Sequence, residues 1–420
     1  MRKPRVLNFS SSADPYMTIS GGTSIGLQYW KWGSDNLWPK AIAIVNRKST
    51  VHRGILNNKA RYISGKQMIC DEREKDLAAF ILACNSKDEN LQSLVRKVKF
   101  DHHSFGNGFI EVVTNSRKSF IMLFHQDATR ARLQRDDDPA KDKKYVFFHH
   151  DWTKYYSEKA RVKKIPIYPV FEDTEKDGTL RSIIHIKDYE PEFENYGLMD
   201  WAAGLGISAI AYKTDKWNIS RLDNSFNNSG VLIVPDEFED DKAWEEFTNE
   251  FDNKFIGEGK QGKILLMARK PGQSDNDGSK LISVNQSTEG DWVNLHSQAK
   301  DDLIVAHNWF RSLSGLADNT GFDTKRILNE YEVALNTVIL EEQQGILNLL
   351  RNVLGNIMGW DCTSLSFINK PPVTDKPIYM KVWEARKADG LDYDENDPGQ
   401  QIYLAALTSK STTNTEGAVK

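Results

Sequence analysis

The chain has 420 residues, of which 39% are hydrophobic, 27% charged and 10% aromatic, with eleven Trp. That aromatic load excludes wholesale disorder, and the length accommodates two or three domains at roughly 150 residues each. Fifty-five Lys and Arg against 59 Asp and Glu leave a formal charge of -4, which excludes a protein gripping nucleic acid over its whole surface, since such a surface must be basic.

Cys70, Cys84 and Cys362 are too few and too scattered for a disulfide framework, which points to a reducing compartment. Arg2, Lys3 and Arg5 are not followed by an apolar run, so no signal peptide is expected. The longest nearly apolar stretch, Leu198 to Tyr212, is shorter than a membrane span and carries Asp200. The expectation is a soluble, intracellular chain with no membrane partner.

Residues 1 to 60 read as an irregular arm, rich in Gly, Ser and Asn, with Trp30, Trp32 and Trp38 outside any helical period. Asp71 to Cys84 is expected to be a helix, because Leu77, Phe80, Ile81 and Cys84 recur three and four apart, and a short helix follows over Leu91 to Val98. Five β-runs come next: Gly108 to Val113, Phe120 to Phe124, Lys144 to His149, Ile165 to Phe171 and Leu180 to Ile186, separated by polar turns. A long helix is expected over Leu198 to Leu222, roughly 37 Å at 1.5 Å per residue, and apolar nearly all round. Such a helix must be covered on several faces, and neighbouring subunits are an economical source of that cover.

Residues 226 to 287 read as a small insert: a strand at Gly230 to Val234, an acidic helix carrying Trp244, Phe247, Phe251 and Phe255, and β-runs at Lys263 to Ala268 and Lys280 to Val284. A second helix spans Asp291 to Leu313. After a loop, the strongest helix runs from Lys325 to Met358, with Gly345 expected to weaken or kink it. A strand at Ser364 to Ile368, a Pro371-Pro372 break and helices near Lys376 to Ala388 and Pro398 to Thr408 complete the chain.

Catalytic motifs are weak. Gly257 to Ile264 approaches a phosphate-binding loop, but Ile264 stands where Ser or Thr should hold magnesium, and the glycines lie between a helix and a β-run instead of opening a helix. A helix-to-strand turn is the better account. His102-His103 and His149-His150 are read as strand neighbours facing opposite ways, so that each pair supplies at most one metal ligand. Asp173, Glu175 and Asp177 start like a calcium loop, but Ile184 occupies the place of its last acid, and a hairpin turn fits better. No catalytic residue, metal ligand or cofactor is expected. The basic clusters around Arg130 to Arg135 and Lys154 to Lys164 read as solvated faces, and the acidic stretch Asp236 to Glu258 favours protein docking over DNA.

The order of pieces resembles the portal (head–tail connector) proteins of tailed bacteriophages over residues 90 to 360. Gly106-Asn-Gly-Phe-Ile-Glu-Val112 looks like that family's lead into its first sheet strand. Ile184-His-Ile186 resembles the strand before the first stem helix, Tyr196-Gly-Leu198 the start of that helix, and Phe226 to Val231 its end and the opening of the clip. Lys300 to Leu316 resembles the second stem helix and the approach to the tunnel loop. The resemblance implies an α+β fold and a ring-shaped homo-oligomer, usually of twelve subunits. The wing would take residues 61–195 and 326–373, the stem helices 196–225 and 289–312, the clip 226–288, the tunnel loop 313–325 and the crown and tail 374–420.

It also implies a virion protein at one capsid vertex, assembled in the host cytoplasm, through which double-stranded DNA is packaged and ejected. The major capsid protein, a large terminase and a head–tail adaptor would be its partners, and it would carry no chemistry of its own. By this resemblance Asp318, Asn319, Thr320 and Lys325 would line the narrowest point of the channel. Trp244, Glu245, Glu246 and Phe247 would lie in the clip, the two acids docking partners and the two aromatics read first as clip core. The sequence departs from the family at Leu313 to Asp318, which lacks the proline-containing stretch common at the tunnel-loop entry. The rival readings are a packaging NTPase or nuclease with a degenerate phosphate loop, and another structural virion component.

Overall fold

A computed structural model describes residues 27–33, 35–135, 145–155, 157–191, 193, 195–208, 210, 230–235, 242, 244–247, 249, 264–269, 280–283, 289–316, 324–373, 380–388 and 392–403; for 230–235, 264–269, 280–283 and 289–296 it describes the backbone alone. The fold is α+β, as expected.

Helix and sheet meet first where α4 (Leu91–Phe105) runs into β2 (Asn107–Asn115). Asn90 starts α4 by accepting from Ser93 N–H at 2.7 Å, and Gly106 ends it in the left-handed region at φ +68°. Strand β2 is the middle of an antiparallel sheet between β3 (Ile121–Gln126) and β7 (Thr179–Lys187). It is buried on both faces, so apolar residues stand next to one another (Phe109-Ile110 and Val112-Val113) instead of alternating with polar ones, and Glu111 between them is paired with Arg181. Ile110 and Val112 face a core built from α3 (Lys75–Leu82), α4 and α7 (Leu340–Met358). Phe109 faces a second core with Trp32, Trp38, Ile42, Tyr196 and Trp201. That core also packs a second antiparallel sheet, β4 (Ala131–Leu133), β5 (Tyr145–Phe148) and β6 (Lys163–Pro166).

Strands β1 (Gln67–Ile69) and β11 (Ser366–Ile368) pair antiparallel and tie the two ends of this body together. Strands β8 (Gly230–Pro235), β9 (Ile264–Arg269) and β10 (Lys280–Ser283) form a separate three-stranded sheet with β8 in the middle, parallel to β9 and antiparallel to β10. Ile264 opens β9, so the end of the phosphate-loop-like stretch leads into a strand, not a helix; residues 257–263 lie outside the described residues.

Several expectations are corrected. The part of the irregular arm that is described holds two helices, α1 (Trp38–Lys48) and α2 (Thr50–Ile63). Their buried faces mix polar with apolar residues: Asn46 in α1, and His52 and Lys59 among Ile55, Leu56 and Ile63 in α2, which blurs the apolar period. Helix α4 runs a further two turns past Val98, through His102 and His103, so those histidines are helical, not strand neighbours. The helix expected from Leu198 begins instead as a 3₁₀ turn at Ala202–Gly204, with helical backbone from 205; residues 211–229 lie outside the described residues.

Helix α5 (Glu289–Ala306) stops before Leu313 because Asn308 turns left-handed at φ +47° and Trp309 N–H reaches back to Ile304 O at 3.1 Å. In the long helix α6 (Thr324–Ala334) to α7, the irregularity is a π turn at Leu335–Ile339, not Gly345. There Asn336 Nδ2 and Thr337 Oγ1 bond back to Glu332 O at 2.9 Å and Val333 O at 2.8 Å, supplying partners to carbonyls that the wider turn releases. The helix near the end is α8 (Val382–Ala388); residues 398–403, expected to be helical, form turns and a bridge from Tyr403 to Lys381.

Candidate functional site

Three stretches that carry the portal resemblance are far apart in sequence and meet around one side chain. The Asn107 amide donates to Phe105 O and Gly197 O, both at 2.8 Å, while its Oδ1 accepts from Gly197 N–H and His185 Nε2–H, both at 2.9 Å. Both amide N–H groups point at carbonyls, which fixes which way the amide faces. His185 is held further by stacking on Phe109, 4.6 Å between ring centroids. The backbones here touch: a Cβ on Gly197 would lie 2.2 Å from Gly106 O, and one on Gly106 would lie 2.4 Å from the Leu198 carbonyl carbon. Only glycine fits at either position. Tyr196 stacks on Trp32 at 4.4 Å and bridges Trp30 O and Leu133 N–H through its hydroxyl. The chain leaving β7 is therefore pinned before it turns into the helical residues 205–208.

Behind this junction lies a polar hub around a cavity of about 500 Å³. Lys59 of α2 pairs with Asp200 at 2.5 Å and donates to His307 O at 3.1 Å; Lys99 of α4 pairs with Glu342 of α7 at 2.5 Å. His52 stands between Asn46 Oδ1 at 2.7 Å and His307 Nε2 at 2.8 Å. Since Asn46 Oδ1 can only accept, His52 carries its proton on Nε2 and accepts from His307 at Nδ1. Burial, aided by Arg53, pushes the His52 pKa down to about 3. Burial first, then neighbouring cations, also holds His103 and His307 well below the usual imidazole range. Burial raises the Asp200 carboxyl, against the pull of Lys59. The imidazoles are thus neutral and the lysines neutralised in pairs. Trp201 caps the hub, fully buried, its indole N–H donating to His103 O at 2.8 Å.

The hub sits at the root of two paired helical segments. Gly204 packs so closely on α5 that a Cβ there would lie 2.9 Å from Ala306 Cβ. Ile207 joins the core of Ile55, Leu303 and Trp309. Beyond that contact, and among exposed polar residues such as Asp301 and Asp302, two apolar side chains stand open: Val305 is 77% exposed and Ile210 38%.

Of the channel residues read from sequence, Asp318, Asn319 and Thr320 lie outside the described residues, and Lys325 stands exposed in the first turn of α6. Trp244 is buried and Phe247 half-buried, their rings 6.1 Å apart, with Glu245 and Glu246 exposed, the disposition of a helix with an aromatic inner face. The junction around Asn107 and the hub were not singled out from sequence as a site. Lys59 and His52 fall within the stretch that reads from sequence as an irregular arm.

Among the described residues two clusters each bring together three groups able to hold a metal. One is His102, His103 and Glu342; the other is His149, His150 and Glu158. In the first, Glu342 is occupied by Lys99, and His102 Nε2 lies 2.9 Å from Asp188 Oδ1. Lys59 and Lys99 bear on His103 closely enough to depress its pKa, so a metal ion there would meet two fixed cations. The second cluster begins just past the end of β5. Among the described residues no helix is long and apolar enough to cross a membrane.

No protein-family model matches the chain. An uncharacterized protein of Rickettsia felis (strain ATCC VR-1525 / URRWXCal2) is 25% identical over 260 residues, 61% of this chain. The chain spans 58% of that relative's length. Among solved structures, a chain in the neck of an empty GTA particle, computed with C6 symmetry, aligns with a TM-score of 0.51 and 14% identity, over 84% of this chain and 94% of that one. An HK97 family phage portal protein from Corynebacterium diphtheriae aligns with a TM-score of 0.45 and 9% identity, over 79% of this chain and 97% of that one. The neck chain and this chain share a fold.

Proposed function

From the fold shared with the neck chain, we propose that this protein is a portal-type subunit of a phage-like particle, assembling into a ring at one capsid vertex. Double-stranded DNA passes through the ring during packaging and ejection, driven by a separate terminase. The shared fold, covering 94% of the neck chain, is the observation that carries this reading. The symmetry with which that neck was computed supports a ring.

In this proposal residues 196–225 and 289–312 are the stem. The hub of Lys59, Asp200, His52 and His307 joins the stem to the wing, and the exposed Val305 and Ile210 are covered by the next subunit. The sheet of β8, β9 and β10 with Trp244, Glu245, Glu246 and Phe247 is the clip, where adaptor and terminase dock. Asp318, Asn319, Thr320 and Lys325 line the tunnel, and residues 374–420 form the crown. The near-neutral charge suits a channel that must let DNA slide, because each basic contact to phosphate adds affinity. The protein catalyses no reaction in this reading, and its other partner is the major capsid protein.

Native mass spectrometry with negative-stain imaging of the purified chain tests it. A ring near twelve subunits with a central hole is the expected result, and Val305→Lys should give folded monomers. A wild-type chain that stays monomeric or dimeric at micromolar concentration refutes the ring.

A further inference from the structure

We propose that His149, His150 and Glu158 form a Zn²⁺ site on the connection between β5 and β6. Strand β5 ends at Phe148, so strand alternation no longer governs the two histidines. Both imidazoles turn to the same carboxylate: Glu158 Oε2 lies 3.7 Å from His149 Nε2 and 3.4 Å from His150 Nε2. The three ligand atoms all fall within 4.8 Å of one another. Ligands at 2.0–2.1 Å from a tetrahedral zinc stand roughly 3.3 Å apart, so closing on the ion needs side-chain shifts of no more than about 1 Å.

His149 is prepared for the role. Its Nδ1 lies 2.7 Å from Asp151 O, and the donation of Nδ1–H to that carbonyl leaves the lone pair on Nε2. A backbone carbonyl holding the far nitrogen is the usual way of orienting a metal-bound imidazole. Asp151 N–H, at 3.2 Å from the same nitrogen, is the weaker alternative and excludes the first. His149 is only 2% exposed, and its Nε2 is buried without a hydrogen-bond partner. A buried nitrogen left unpaired costs stability, and a metal ion would satisfy it. Around it Trp152 and Tyr155 form an aromatic wall, and Trp152 N–H bonds Arg130 O at 2.9 Å.

Two imidazoles with one carboxylate suit zinc and exclude magnesium and calcium, which take oxygen ligands. Arg161 competes as a cation 3.3 Å from Glu158, but its side chain is 69% exposed and can swing into water. This separates the cluster from His102, His103 and Glu342, where both lysines are buried. His150, half in solvent, leaves the fourth position to water. Bound zinc would clamp the turn after β5 to the 3₁₀ turn Lys159–Arg161 that leads into β6.

The test uses the untagged full chain with Co²⁺ as a spectroscopic probe and Zn²⁺ as competitor. The expected result is saturable visible absorption of four-coordinate Co²⁺, abolished by Zn²⁺. His150→Gln and Glu158→Gln, both at partly exposed positions and checked by circular dichroism, should weaken binding beyond the roughly 100-fold that even an outer-shell loss can cost. Arg161→Ala should leave it unchanged or tighter, and His102→Gln should leave it unchanged. Absence of saturable binding by the wild-type chain overturns the site. So does binding that survives His150→Gln and Glu158→Gln, or that is lost with His102→Gln instead.

Discussion

Replacing Asn107 by Ala removes four hydrogen bonds at the crossing of α4, β7 and the connection to residue 197. At roughly 1 kcal/mol for each intramolecular bond, with Phe105 O, Gly197 O and Gly197 N–H left unpaired in the interior, the expected loss is about 4 kcal/mol. That is a large fraction of the 5–15 kcal/mol typical of a folded domain. The assay is urea unfolding followed by tryptophan fluorescence, to which the buried Trp201 should contribute. Asn115→Ala is the control, because its two bonds to Ser119 lie in the exposed β2–β3 turn and should cost about 1 kcal/mol or less. Asn107→Asp keeps both accepting contacts and turns both donations into repulsion between a carboxylate and carbonyls, so it should fall at least as far. A loss below about 1 kcal/mol for Asn107→Ala, or full stability in Asn107→Asp, refutes the view that this side chain holds the junction.

Two further outcomes follow from the hub and the long helix. The His52 pKa of about 3 lies below the ordinary 6.5, so the unfolded chain takes up protons that the native chain refuses. The stability this group contributes is complete above about pH 6.5 and is lost as pH falls towards 3, with His103 and His307 acting in the same direction. Between about pH 7 and pH 5 the urea midpoint should drop more steeply for the wild type than for His52→Gln; parallel slopes would remove His52 from the pH response. Gly345 lies inside α7, and a Cβ added there would meet no atom within 4 Å, so Gly345→Ala should raise stability by about 0.5–1 kcal/mol, read as a higher thermal midpoint. A lower midpoint would show that the helix needs glycine there.

The elements that could be read from sequence are those whose burial is carried by apolar side chains. Leu77, Phe80 and Ile81 place α3, and the runs around Ile110, Leu123 and Ile184 place the central sheet, because these residues fill one core. The elements that sequence patterns misplace are buried through polar groups. In α2, His52 and Lys59 stand where a hydropathy pattern expects apolar residues, and each is tolerated inside only because a partner distant in sequence, His307 or Asp200, meets it. No local pattern reports a partner some 250 or 140 residues away. The π turn is hidden for a related reason: Asn336 and Thr337 satisfy the released carbonyls, whereas Gly345, the conspicuous residue, is accommodated without distortion.

Trp201 shows how the same physics misplaces the start of a helix. Its position with Ala202 and Leu205 makes a helical stripe, yet Met199 and Trp201 are spent filling the core beside Phe109 and Tyr196. The chain cannot begin its helix there, because Asn107 holds Gly197 against Gly106 and the indole must reach His103 O. The helical turn starts only once those obligations are met, at Ala202. The glycines at 106 and 197 therefore serve packing as much as chain reversal: they let two backbones come close enough for one amide side chain to fix the direction in which residues 202–208 leave the body. In the proposed ring that direction would be repeated in every subunit, so an error at this crossing would be multiplied around it.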